Sequence, residues 1–197
     1  MEAVMGVLLG IGLGAACGFR IFVPLLVASI AIHGGFLTVT PEFAWLGGTP
    51  ALITLSIATL LEIAGYYLPV IDNTLDVLGA PAAVIAGTIL AAGFIGHMDP
   101  MLQWGLAAIA GGGAAGVIHG GMAAIAAASA TTGGLGNSAV STAETVSASL
   151  VSILACVLPV LAVLLLGAAI YLLVRFAISL KRKLAQAGTP DKVEVQD

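Results

Sequence analysis

Arg20 stands inside the apolar run "GAACGFRIFVPLLV", too deep for its guanidinium to reach either end of the run. A charge at the centre of such a segment costs roughly 2.5–3.5 kcal/mol on membrane-insertion scales, so it must face protein or water and needs a partner. Pro24 has no N–H to give to the Arg20 carbonyl, which predicts a freed carbonyl and a kinked helix beside the charge. The natural counter-charge is Glu62 in "TLLEIAGYYLP"; on a helix Glu62, Tyr66 and Pro69 share a face, and the Tyr66 hydroxyl is placed to bond the carboxylate. Asp72 and Asp76 are four apart in "VIDNTLD", so both carboxylates point the same way if a helix begins there. With Asn73 they form an oxygen-rich rim suited to a hard cation such as Mg²⁺ or Ca²⁺, or they serve as ordinary helix caps. His119 lies deeper in its apolar run than His33 and His97, which sit at run ends. Glu144 in "STAET" reads as a cap of the last span, and Asp99 in "GHMDP" as a turn residue. Together these residues suit an ion or polar-solute pathway; the other reading is a buried ion pair that only fixes helix register. No zinc-type ligand spacing and no nucleophile–base set is present, so an enzyme is not expected, and the residues name no cofactor. "GIGLGAACG" has the glycines of a phosphate loop but no strand before it.

The elements that must hold these residues follow from composition. Of the 197 residues 60% are hydrophobic and 8% charged, and the mean hydropathy is +1.15. A soluble domain carries about 25% charged residues, so the expected solvent for most of this chain is lipid. The net charge of −4 argues against nucleic acid as a partner. About 20 apolar residues cross a bilayer. On that length scale the spans fall near 4–32, 51–68, 81–95, 101–130 and 146–178, an all-α polytopic bundle. The last stretch contains Pro159 and reads as one kinked helix, giving five spans, with two helices, giving six, as the alternative. Residues 1–180 form the transmembrane domain and 181–197 a polar, disordered tail. Cys17 and Cys156 lie in apolar runs and read as small buried hydrophobes rather than a disulfide.

Lys181, Arg182 and Lys183 follow the last span, which predicts a cytoplasmic C-terminus in the inner membrane. Five spans then put the N-terminus and the Asp72–Asp76 segment outside. Gly6, Gly10, Gly14 and Gly18 form one ridge, and Gly112, Gly116 and Gly120 another. Such ridges bring helices into close contact and favour a homo-oligomer. The units beginning at Gly14 and Gly113 align without gaps, setting Arg20 opposite His119, as in an inverted repeat.

"GFRIFVPLL", "PEFAWLGGTPALITLSIATLLEI", "LPVIDNTLD" and "GNSAVSTAE", in this order and spacing, resemble the bacterial membrane family filed as domain of unknown function 4126. The resemblance covers nearly the whole chain up to the last span. It implies an acid pair near the second span, which Glu62, Asp72 and Asp76 match; Tyr66 and Tyr67 depart from the more polar residues of relatives. It implies an integral membrane protein and brings no activity. The expectation is therefore a small transporter or channel for an ion or polar solute, with an accessory membrane subunit as the alternative.

Overall fold

The computed structural model describes residues 2–65, 69–96, 98–129 and 135–187. It is all-α, and among the described residues there is no strand. The helices are α1 (Glu2–Ala16), α2 (Phe22–His33), α3 (Thr49–Gly65), α4 (Pro69–Phe94), α5 (Pro100–Leu106), α6 (Gly113–Ser129), α7 (Leu135–Val157) and α8 (Pro159–Ala187). A 3-10 helix, Pro41–Gly47, precedes α3 and is bent from it by 61°. A π-helical segment, Ala107–Gly112, joins α5 to α6 in one continuous rod. The stretch 100–125 of that rod is long and apolar enough to cross a membrane. Much of the outer surface is aliphatic, including Ile109, Leu60, Leu61 and Leu164.

The first apolar run folds differently from the single kinked span expected for residues 4–32. The helix stops at Ala16 and restarts at Phe22, which puts Pro24 in the first turn of α2, where its missing N–H removes no intrahelical bond. The chain then turns back. Thr40 donates its N–H to the Gly93 carbonyl at 2.9 Å, and Gly6 packs on the neighbouring Phe94 carbonyl. Residues 36–42 share a cavity of about 810 Å³ with Met5, Gly6 and Leu9. So α1 and α2 form a hairpin with its tip at Cys17–Ile21 and both open ends at one pole of the bundle. Ser29 Oγ donates to the Leu46 carbonyl at 2.6 Å and His33 Nδ1 meets the Gly47 carbonyl at 2.8 Å, tying α2 to the 3-10 helix at that pole.

Glycine lets the central helices meet backbone to backbone. A Cβ on Gly14 would stand 2.8 Å from both the Gly111 Cα and the Gly87 carbonyl oxygen. Gly10 faces the Ala91 carbonyl and Gly18 the Ala115 carbonyl and Ile118. The α1 ridge thus seats on α4 and on the π segment and α6. Such contacts replace side-chain volume with close van der Waals approach, the means by which helices associate where lipid supplies no hydrophobic drive. The pairings fix directions: α4 runs against α1, and α6 runs with it.

The last apolar stretch is two helices, not the one kinked helix favoured by sequence. The Cβ position of Gly12 lies 3.0 Å from Ala155 Cβ and 3.7 Å from Ala162 Cβ. In a straight helix, residues seven apart are about 10 Å apart along the axis. The chain therefore reverses at Leu158–Pro159. α8 returns along α1, where Leu166 joins Ala15 and Ile118 in one buried cluster. The start of α4 and the end of α8 then share the pole opposite to the N-terminus. The expectation that the Asp72–Asp76 segment and the C-terminus face opposite sides counted residues 146–178 as one pass; the reversal at Leu158–Pro159 makes them two, so the passes from α4 to α8 are even in number. α8 also runs to Ala187, into the stretch read as tail, and residues 188–197 lie outside the described ones. The two proposed repeat units differ in form, since the first is broken at Cys17–Ile21 and the second, α6, is continuous.

Candidate functional site

The hairpin tip carries the buried charges. Arg20 is 1% exposed. Its Nη2 donates to the Ser141 carbonyl at 2.9 Å and to the Ser141 hydroxyl at 2.5 Å, and stands 3.5 Å from a Glu144 carboxylate oxygen. Breaking the helix at residues 17–21 allows this, because the tip lets a long side chain reach sideways into α7 instead of lying along its own helix. α7 begins at Leu135, so Glu144 is an interior residue of that helix rather than the cap expected from "STAET".

Glu62 serves the same tip by another route. It is 5% exposed on the inner face of α3. Its two carboxylate oxygens accept the backbone N–H groups of Ile21, at 2.7 Å, and Phe22, at 3.0 Å. These belong to the unpaired donors at the start of α2, where no side chain of that segment provides a cap. A carboxylate is the best occupant of a helix N-terminus, since it accepts charge-assisted bonds and opposes the positive end of the helix dipole. The expected partnership of Glu62 with Arg20 is thus replaced by two separate ones: Glu62 with the α2 backbone, and Glu144 with Arg20. Burying each charge is tolerable only because hydrogen bonds satisfy it. Cys17 lies fully buried at the tip, with its Sγ 3.6 Å from the Leu13 carbonyl.

His119 stands at the same level of the bundle, because its neighbour Ile118 packs against Gly18. It is 9% exposed, and its ring lies on the α4 backbone: the Cβ position of Gly79 is 2.8 Å from Cε1 and 3.0 Å from Nε2. Asp72, Asn73 and Asp76 are positions in the first two turns or so of α4, which starts at Pro69; their side chains lie outside the described ones, as do Tyr66 and His97 altogether. The structure therefore gathers Arg20, Glu62 and His119 into one layer with Glu144 and Ser141, and sets the two aspartates beyond it toward the α4 start. Among the described residues, no group of three or more His, Cys, Asp or Glu side chains is placed to hold a metal. Asp99 caps α5, accepting the Met101 N–H at 2.9 Å, as a turn residue should.

The family model for domain of unknown function 4126 matches residues 7–179. The chain belongs to that family. The match spans the hairpin tip, α3, α4 and the Ser141–Glu144 segment, so every charge at the tip is inside the family domain. No curated protein and no solved structure matches the chain.

Sequence reading missed Glu144 and Ser141 as the Arg20 partners. The available signal was arithmetic: no Lys or Arg occurs between Arg20 and Arg175, so every acid in the apolar core competes for one guanidinium.

Proposed function

We propose that this family member is a polytopic integral membrane protein that carries an ion or small polar solute, and that the solute passes the layer at the α1–α2 tip. The observation behind this reading is the tip itself: a buried guanidinium, carboxylate and imidazole, with a second, partly exposed carboxylate, at the level where a helix is broken, inside a bundle with an aliphatic surface. Irregular backbone at membrane depth occurs where it is enclosed by protein or lines a cavity, and broken helices are a recurrent way to build solute sites. Five helical rods, α3, α4, α5–α6, α7 and α8, would cross the bilayer, with α1–α2 entering and leaving from one side. Lys181, Arg182 and Lys183 put the C-terminal pole in the cytoplasm, and the α4 start with it. The near-complete burial of Arg20 and Glu62 supports a carrier over an open channel in this reading. Gly105 and Gly120 face outward with nothing within 4 Å, which supports close packing against a second copy.

The same burial favours one other reading, an accessory subunit whose polar tip only specifies packing. Liposome flux separates them. Purified protein is reconstituted and screened against monovalent and divalent cations, anions and small metabolites. Transport predicts flux that Glu62→Gln or Glu144→Gln abolishes while each variant stays folded. A broad panel with no flux above empty vesicles refutes the transport reading.

A further inference from the structure

The cavity of about 810 Å³ lies at the pole of the open hairpin ends, away from the polar layer at the tip. Its size is within the range of about 300–1,000 Å³ in which proteins hold small organic molecules. The start of α1, residues 36–42, the α4–α5 turn and the α7–α8 turn enclose it. The lining is mixed, with Leu9, Phe94 and Met98 beside Thr38, Glu42 and Gln103. A purely apolar guest would bury the polar groups without partners, and a bare ion would gain nothing from the apolar wall. The cavity therefore suits a molecule that has both an apolar body and a polar group.

The sign of that group follows from the lining. Glu42 is the one charged side chain among the described lining residues, and its carboxylate makes no hydrogen bond or ion pair among the described residues. No Lys or Arg of the chain is near enough to answer it. Arg20 is held at the hairpin tip by Ser141 and Glu144. The next basic residue, Arg175, lies about 24 Å along α8 from Pro159, toward the opposite pole. Gln103 presents the same sign: its NH₂ is spent on the Ala92 carbonyl at 2.8 Å, so its oxygen is the end left to accept from a ligand. Phe36 and Phe94 line the same space, and aromatic rings are attractive surface for organic cations. A phospholipid headgroup is a poor match, because nothing in the described lining would pair with its phosphate.

We infer that this cavity is a binding site for an organic cation, an ammonium or related onium group carried on an apolar body, with Glu42 as its counter-ion. Binding stands on the cavity and its lining, not on the transport reading.

The test uses the full chain, purified in a nonionic detergent. Tetraphenylphosphonium is the probe, and tetraphenylborate is its match in shape with the opposite charge. The phosphonium should bind saturably at one site per chain in equilibrium dialysis, and the borate should not. Cys156 supplies a second readout, since it lines the cavity and is half-buried while Cys17 is fully buried. The phosphonium should slow alkylation of Cys156 by N-ethylmaleimide, and the borate should leave it unchanged. Glu42 is exposed, so Glu42→Gln should fold normally and weaken phosphonium binding about five-fold or more, the loss of one ion pair. Asp99→Asn makes the same charge change at the same pole but outside the lining, and should leave binding unchanged. Absence of saturable phosphonium binding overturns the site. So does equal protection by the borate, binding that leaves Cys156 alkylation unslowed, or a Glu42→Gln variant that binds no more weakly than Asp99→Asn. None of those failures touches the flux test of Glu62 and Glu144.

Discussion

Replacing Glu62 with alanine should loosen the α2 N-terminus. Two charge-assisted bonds are lost, to the Ile21 and Phe22 N–H groups at 2.7 and 3.0 Å. Hydrogen bonds to a charged group contribute about 1.5–3 kcal/mol each, so the loss is roughly 3–6 kcal/mol. Glu62→Gln keeps one acceptor oxygen and turns an NH₂ toward the second N–H, so it should lose about half of that. Equilibrium unfolding in mixed micelles gives the global number. Hydrogen exchange at Ile21 and Phe22 gives the local one, and protection should fall by roughly 100-fold or more in Glu62→Ala, given about 1.4 kcal/mol per decade. Thr59 is the internal control. It is buried on the same face of α3, and its Oγ1 has no partner among the described residues, so Thr59→Val should be neutral or mildly stabilising. Unchanged exchange at both amides in Glu62→Ala, or equal losses for alanine and glutamine, would refute the capping argument.

Glu144→Ala removes the counter-charge of a guanidinium that is 1% exposed, leaving it only neutral partners such as Ser141, and should cost about 3–5 kcal/mol by the same unfolding assay, with Glu144→Gln milder because it still offers an oxygen. Gly14→Leu should destabilise strongly, by about 3 kcal/mol or more, because the side chain meets the Gly111 and Gly87 backbones at 2.8 Å; normal detergent stability in that variant would mean the ridge is not packed as described. In intact cells, Glu42→Cys should react with an impermeant thiol reagent and Lys183→Cys should not, in a background lacking Cys17 and Cys156; the reverse pattern, or labelling of both, contradicts the hairpin topology with a cytoplasmic C-terminus.

Helix content, the glycine ridge and the burial of Arg20 in protein were legible because each depends on local pattern: apolar run length, four-residue spacing, and one charge where none should be. The reversal at Cys17–Ile21 was not. Pro24 reads equally as a kink inside one helix or as the first turn of a new one, and only the non-local ties, Thr40 to Gly93 and Glu62 to Ile21, decide it. Pro159 posed the same ambiguity, resolved by Gly12 meeting both Ala155 and Ala162. Assigning Glu144 to a helix start failed because "TTGGLGNSAVSTAET" looks polar enough for a loop, whereas α7 starts at Leu135 and uses its Ser and Thr hydroxyls to bond its own carbonyls, as Thr145 and Ser149 do.

The Arg20–Ser141 contact bridges 121 residues of chain, which has a consequence for biogenesis. At about 5–20 residues per second, a ribosome needs roughly 6–24 s to deliver Ser141 after Arg20 has emerged. For that interval the guanidinium has no α7 to receive it, while Glu62, needed to hold the turn open, arrives far sooner. The amino-terminal hairpin is thus made first and seated last. Its seating waits for α7, and a chain truncated before α7 should leave the hairpin unseated and open to proteolysis.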